Sequence, residues 1–357
     1  MTFVETLKFD NIYSLCKSRN LIFLVKKSKE ISCIDNNYVI WHKPVSYIGQ
    51  VKVHGENLFF VDNLNSYLKI FDINNGNLLL EDENRFYSLD IKNDVIVCSI
   101  YNMVALKSEY SLFNFVKTSL LWQSKNLNYL SFFFDNLINV IGSVISKIDE
   151  STGDVLWERE LGSGVFRKGL RDLDVKISHL VGVWKNQLLV WMNNEQLICL
   201  DVNTGTELWR ITDFIKQFLP NWQSISQFSF VYCHIENGKL YQLDGDSYWS
   251  LDLATQEFEL LWQDTQKEYL TIIHKTYTED FIYFTASRNY GLVPYLIGVF
   301  NRKTLSIEWL HDARLPQKAE NNFCNSLNQA PQVDGNRLYV LDSGGTLHIF
   351  EKESSIE

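Results

Sequence analysis

The chain has 357 residues, 46% of them apolar and 21% charged, enough hydrophobic side chain to bury a large core and too much for an intrinsically disordered chain. Its 33 basic and 43 acidic residues leave a net charge of −10, which argues against a general binder of phosphate backbones, so nucleic acid is not an expected partner. Aromatic residues reach 14% (10 Trp, 17 Tyr and 23 Phe) against only 5 Pro, a composition that favours strands.

The first thirteen residues, MTFVETLKFDNIY, hold no basic leader, apolar run, small-residue cleavage site or lipobox cysteine, so a cytoplasmic chain is expected. Residues 3–8 alternate apolar and polar side chains. The most apolar window, 130–145, is interrupted by Asp135, Asn136 and Asn139; it is too short for a membrane span and reads as two buried strands. No membrane insertion is expected. Six cysteines, at 16, 33, 98, 199, 233 and 324, lie far apart with no CxxC and no histidine at ligand spacing. They read as reduced, mostly core thiols, and no metal site or cofactor is expected from them.

A repeat emerges when segments ending in tryptophan are stacked. An apolar residue precedes Asp or Asn, and Trp follows eight positions later: Asp149 to Trp157, Asp201 to Trp209, Asn114 to Trp122 and Asn301 to Trp309. From Asp72 the same spacing reaches Leu80, whereas Asp35 to Trp41 and Asp252 to Trp262 change the length. With Glu351 these positions recur every 35 to 52 residues and divide the chain into eight units. Upstream of most lie further apolar runs, such as NLFFVD (57–62), QLLVWM (187–192), KLYQLD (239–244) and RLYVLD (337–342). Each unit therefore reads as four short strands, A to D, the cue for an all-β propeller.

The expected fold is an eight-bladed β-propeller of four-stranded antiparallel blades, forming one domain over 1–351 with 352–357 as a tail. The blades fall at about 10–43, 46–81, 85–123, 128–160, 176–211, 225–264, 269–311 and 328–351. The last unit lacks strand D, and residues 2–9 are expected to supply it, because an open ring would leave two exposed edges. Seven blades remain the alternative if 10–43 is irregular. Glycines four residues after the aspartate (Gly76, Gly153, Gly205) can take the positive φ that closes the C–D hairpin. The aspartates Asp72, Asp149 and Asp201 can bind nearby amides to tie the corner. The indoles Trp41, Trp122, Trp157, Trp209, Trp262 and Trp309 are expected to dock neighbouring blades.

The stretch LDVNTGTELW (200–209), and with it IDESTGDVLW (148–157), resembles the repeat of the quinoprotein, or pyrroloquinoline-quinone (PQQ) dehydrogenase-like, β-propellers. In the enzymes of that family the resemblance implies PQQ held between a tryptophan floor and a vicinal disulfide beside calcium, with export to the periplasm. Here no two cysteines are adjacent, and no cofactor is expected. The family also includes a periplasmic lipoprotein that aids outer-membrane protein assembly.

Long D–A connections are the expected binding elements, since loops on a rigid scaffold carry function. One, 211–226, sets Phe214, Phe218 and Trp222 at helical spacing, with Asp213 as an N-cap and Pro220 as a stop, either as rim packing or as aromatic anchors for a partner. Another, 160–176, mixes Arg167, Lys168, Arg171 and Lys176 with Asp172 and Asp174 and reads as a solvated loop. In the B–C segment 244–249, Asp244 and Asp246 resemble the start of a calcium loop that lacks its remaining ligands. No catalytic motif occurs, and the seven histidines are scattered. The expected function is a non-enzymatic scaffold that binds another protein, a toxin-neutralising immunity protein being one form, with acidity suited to a basic target. The alternatives are a quinoprotein-like enzyme, a small-ligand binder or an envelope assembly factor.

Overall fold

The computed structural model describes all residues except 1, 36–37, 63–66, 84, 103–106, 125–126, 128, 169–170, 219–232, 246, 265–269, 289–290, 292, 314–325, 328 and 354–357. The chain is an eight-bladed β-propeller of four-stranded antiparallel sheets, each hydrogen-bonded in the order A-B-C-D. Blade 1 comprises Ile12–Ser18, Leu21–Lys26, Glu30–Asp35 and Tyr38–Pro44, so the 10–43 stretch is a complete blade and the seven-bladed alternative falls. Blade 2 follows with Gln50–His54, Asn57–Asp62, Tyr67–Asp72 and Leu78–Asp82, and blade 3 with Phe86–Lys92, Val95–Asn102, Lys107–Asn114 and Ser119–Ser124. Blade 4 is Leu130–Phe133, Asn136–Ile141, Val144–Ile148 and Val155–Glu160; blade 5 is Ile177–Trp184, Gln187–Met192, Leu197–Asp201 and Glu207–Ile211. Blade 6 is His234–Glu236, Lys239–Asp244, Ser247–Asp252 and Phe258–Gln263; blade 7 is Leu270–Tyr277, Phe281–Arg288, Leu296–Asn301 and Ser306–Asp312. Gln332–Asp334, Arg337–Leu341 and Leu347–Lys352 form A to C of blade 8, and the N-terminal strand Phe3–Phe9 pairs with Leu347–Lys352 as its strand D.

Internal contacts divide the chain into two compact units. One comprises residues 1–56, 73–76 and 239–357, with cores around Leu24 and Ile349, around Phe284 and Phe300, and around Ile297 and Phe350. The other comprises 57–72 and 77–238, with cores around Phe59 and Phe113, around Leu137 and Leu112, and around Leu188 and Ile198. The burial of each strand follows its place in the sheet. Strand B is inner and sandwiched on both faces, which is why runs such as NLFFVD and QLLVWM are apolar without alternation. Strand D is the outer edge and mostly exposed, as in VLWERE.

Every described C–D pair of blades 1–7 carries a β-bulge in the same place. Trp41 opposes Cys33, Trp122 opposes Leu112, Trp157 opposes Lys147, Trp209 opposes Cys199, Trp262 opposes Tyr248, Trp309 opposes Val299 and Leu80 opposes Ile70, each beside a register shift. The extra residue re-aims the strand so that the indole turns in while the preceding residue turns out. Ile40, Leu79, Leu121, Leu156 and Leu208 are accordingly exposed.

The indoles dock on the next blade's C–D turn. Trp41 Nε1 donates to the Ile73 carbonyl (2.9 Å), Trp122 Nε1 to Glu150 (2.9 Å) and Trp157 Nε1 to Val202 (3.0 Å). The turn is tied by its first residue: Asp149 Oδ1 accepts the Ser151 and Thr152 amides (2.8 and 3.0 Å), Asp201 Oδ1 those of Asn203 and Thr204 (both 2.9 Å), and Asn301 Oδ1 those of Lys303 and Thr304 (2.8 and 3.0 Å). The backbone closes the same turns: the N–H groups of Asp72, Asp149 and Asp201 donate to the carbonyls of Asn77, Asp154 and Thr206 (2.9, 2.8 and 2.8 Å).

Four residues after this Asp or Asn, φ is positive in six turns, at Gly76 (68°), Thr118 (53°), Gly153 (78°), Gly205 (69°), Gln256 (60°) and Leu305 (54°). Positive φ alone therefore does not demand glycine here. Where glycine stands, a second reason holds: an added Cβ would meet the previous blade's indole at 2.8 Å for Gly76 and Trp41, and at 2.6 Å for Gly153 and Trp122 and for Gly205 and Trp157. Trp262 instead packs on Phe300 (5.1 Å between centroids) and Trp309 between Phe3 and Phe350 (5.2 and 5.6 Å). Trp209 Nε1 is buried without an acceptor among the described residues. Replacing Gly205 by Ala combines left-handed strain with a clash and should cost roughly 2–4 kcal/mol in urea unfolding, whereas Gln256→Gly, which relieves the same backbone conformation, should be neutral or stabilising by about 1 kcal/mol. Equal effects at the two positions would show that the indole contact is not what selects glycine.

Candidate functional site

Among the described residues three groupings of polar or exposed side chains stand out, each inside one unit. The first lies on the connection between blades 4 and 5. Residues 160–176, expected as a loop, contain a two-stranded ribbon, Val165–Lys168 paired with Arg171–Asp174, in the register Val165↔Asp174, Phe166↔Leu173, Arg167↔Asp172 and Lys168↔Arg171. RDLD places acidic residues at alternate positions, but VFRK does not alternate, and the mixed charges read as a solvated loop. All four residues of the second strand are exposed, as is Val165 at 62%. The base is fixed. Val175 N–H donates to the Gly164 carbonyl (3.0 Å), Lys176 N–H to Asn193 Oδ1 (2.9 Å), Asn193 N–H to the Lys176 carbonyl (3.0 Å), and Asn193 Nδ2 to the Asp174 carbonyl (2.8 Å).

The connection after blade 5 begins with the helix Phe214–Phe218. Phe214 is fully buried, edge-on to Trp191 (6.0 Å, 85°), and its N–H donates to the Glu195 carbonyl (3.1 Å). Phe218 is half-buried and packs on Phe214 (5.0 Å). Phe214 thus faces inward as a packing residue; Trp222 lies outside the described residues. Asp213, read as a cap, sits at φ 49° and contributes its carbonyl to Gln217 N–H (3.0 Å).

The second grouping surrounds Asp244, at the end of strand B in blade 6. Lys275 Nζ donates to the Leu243 carbonyl (2.7 Å) and lies 3.3 Å from Asp244 Oδ1, and Gln242 Nε2 donates to the same oxygen (2.9 Å). All three are buried. Burial pushes the Asp244 carboxyl up, against the pull of Lys275 and Gln242. Asp244 is thus a buried ion-pair partner of Lys275; Asp246 lies outside the described residues.

The third grouping joins the N-terminal strand to blade 8. His348 places Nδ1 2.6 Å from Glu5 Oε1 and Nε2 3.3 Å from Asp342 Oδ2, while Asp342 Oδ1 accepts the Thr346 amide (2.8 Å) and Lys8 pairs with Glu5 (3.0 Å). Burial disfavours the imidazolium, but the hydrogen bonds from Asp342 and Glu5 outweigh it and raise the His348 pKa; Glu5 is lowered, burial being outweighed by His348 and Lys8. Both ring nitrogens face carboxylates, which leaves neither free to take a proton from a substrate. Nearby His311 stacks on Trp309 (5.6 Å, 7°) and is lowered, chiefly by burial. Elsewhere burial alone takes His179 down to about 4. Sequence reading missed this grouping because its members lie 343 positions apart.

Residues 142–272 match the family model described as outer membrane protein assembly factor BamB. Over that stretch the chain is similar to PQQ-like β-propeller repeats. BamB from Moraxella catarrhalis superposes with a TM-score of 0.61 at 12% identity, over 98% of this chain and 100% of that one. The C-terminal WD40 domain of Sif2 gives 0.65 at 13% identity, over 99% of both chains, and a europium-containing methanol dehydrogenase 0.61 at 8%, over 98% and 93%. At such identities the likeness is one of fold. None of the curated proteins matches the sequence. Among the described residues no three His, Cys, Asp or Glu side chains group to hold a metal ion, and Cys16, Cys33, Cys98 and Cys199 are free thiols. No helix among the described residues is long and apolar enough to cross a membrane.

Lys275→Met strands a buried carboxylate and should cost about 3–5 kcal/mol, and adding Asp244→Leu should recover most of that; a double variant no more stable than the single would refute the pairing. For His348 the folded pKa lies above the unfolded value, so its contribution is complete below about pH 6 and fades as pH rises through the folded pKa; that of Glu5 fades as pH falls below about 4. Chemical unfolding from pH 6 to 9 should therefore bring the wild-type midpoint towards that of His348→Gln, and curves that run parallel would exclude the clasp.

Proposed function

We propose that this chain is a non-enzymatic propeller scaffold that binds another protein through the ribbon between blades 4 and 5. The observation that carries the reading is the ribbon itself: ten residues, 165–174, held rigidly at the base and exposed along the second strand, with Val165 and Leu173 presenting apolar surface that packs into no described core. An isolated two-stranded ribbon is marginal in water. Its rigid mounting suits recognition, because little ordering remains to be done on binding. Asp244 Oδ1 is held by Lys275 and Gln242, and both ring nitrogens of His348 face carboxylates, which suits a structural role. Free thiols suit a reducing, cytoplasmic setting.

A net charge of −10 favours a basic partner, and a nuclease-type toxin held inactive by this chain fits that chemistry. The experiment replaces 165–174 with a two-residue Gly-Ser turn. The variant should unfold at the wild-type midpoint yet lose the protein that the wild type captures stoichiometrically from its native host; unchanged capture would sink the reading. For the toxin form, deleting the gene should leave the cell sensitive to a toxin encoded beside it, and a deletion strain that survives that toxin would reject it.

A further inference from the structure

Resting on that reading, we infer that the outer edge of Arg171–Asp174 recruits its partner by adding an antiparallel strand with basic residues on one face. The phase of the ribbon's hydrogen bonds sets which groups are free. Val175 N–H bonds to the Gly164 carbonyl, so the pair 164/175 is a closely bonded one. Bonded pairs alternate along an antiparallel ladder, so Phe166/Leu173 and Lys168/Arg171 are bonded across the ribbon, while Val165/Asp174 and Arg167/Asp172 turn their N–H and C=O outward. The Asp174 carbonyl confirms this phase, because it accepts Asn193 Nδ2 from outside the ribbon (2.8 Å). What stays open on this edge is the N–H and C=O of Asp172 and the N–H of Asp174.

Side-chain alternation then defines the partner. Asp172 and Asp174 share one face of the ribbon, and Arg171 and Leu173 the other. All four are exposed. Residues directly opposite on an added strand pair with these, like charges being disfavoured. Read in its own direction, the incoming antiparallel strand carries base, apolar, base, acid against Asp174, Leu173, Asp172 and Arg171. Arg167 stands across from Asp172 on the inner strand, so charge would alternate over three strands. Asn193 already holds the Asp174 carbonyl, which stops the addition at the ribbon's base and fixes its register. The structure thus selects a short amphipathic strand of another protein, recognised through main-chain bonds with side-chain charge supplying specificity.

The test uses the full chain and three synthetic ten-residue peptides: one centred on Lys-Val-Lys-Glu, one with Glu-Val-Glu-Lys in its place, and one of the first composition broken by prolines. Fluorescence anisotropy should show that the first binds at least tenfold more tightly than the others, and that salt weakens it. Asp172→Pro removes an outward N–H at a position where an edge strand tolerates proline, and should abolish binding without moving the unfolding midpoint. Asp172→Lys with Asp174→Lys should reverse the preference towards the acidic peptide. Equal binding of the first and the proline-broken peptides, no binding of the first, or unchanged binding by Asp172→Pro overturns the inference. If the natural partner is lost on ribbon replacement but kept by Asp172→Pro, the ribbon is the docking element and strand addition is wrong; if it survives ribbon replacement, the scaffold reading itself fails.

Discussion

The contact on which the architecture depends is an indole ring laid on the backbone of the neighbouring blade's turn. At Trp41, Trp122 and Trp157 this contact combines three elements: a β-bulge that turns the ring inward, a carbonyl that accepts its N–H, and a glycine that leaves room for its face. Removing any one leaves the others without purpose, since a ring without the bulge points to solvent and a glycine without the ring is merely flexible. The hydrogen bond matters in proportion to burial, because an indole N–H taken out of water without an acceptor costs about 1–3 kcal/mol.

A second motif repeats beneath the first. The apolar run of strand B ends in aspartate at Asp62, Asp244 and Asp342, all buried. At Asp342 one oxygen caps the following turn and the other meets His348; at Asp244 the corresponding charge meets Lys275. A buried carboxylate survives only with a partner, so each cationic residue contributed by strand A or C is fixed by the need of the aspartate rather than by any substrate. In blade 8 the same logic extends to Glu5, and the strand that completes the last sheet is held by a charge pair in addition to its ladder.

What could be read from the chain beforehand follows from sequence distance. The four-strand unit is local: its apolar periods, its Asp or Asn, and the indole eight residues on lie within about fifty residues, so the blades were legible; the role of 3–9 in the last of them followed instead from the missing strand D and the need to close the ring. The bulge was not, because it depends on a register slip of one residue that leaves composition unchanged. Glycine at 76, 153 and 205 was attributed to φ alone, and the turns at Thr118, Gln256 and Leu305 show why that was incomplete. The pairs Asp244 with Lys275 and Glu5 with His348 were illegible, as nothing local links residues 31 or 343 positions apart.

The ribbon illustrates the opposite failure, a local pattern discounted because its residues are charged. RDLD alternates as strands do, but on a strand whose four residues are all exposed, alternation selects no core, and charge looks like solvation. That same property makes the element suited to recognition. A propeller blade must spend its apolar residues on its neighbours, and the repeat fixes nearly every position of strands B and C. The ribbon, fastened at its base by Asn193 and the Gly164–Val175 bond, is free of those demands, so its edge can carry a charge pattern that the core never reads. Specificity can then change there without touching the indole contacts that hold the blades, which is the physical basis for placing binding on the connection rather than on the sheets.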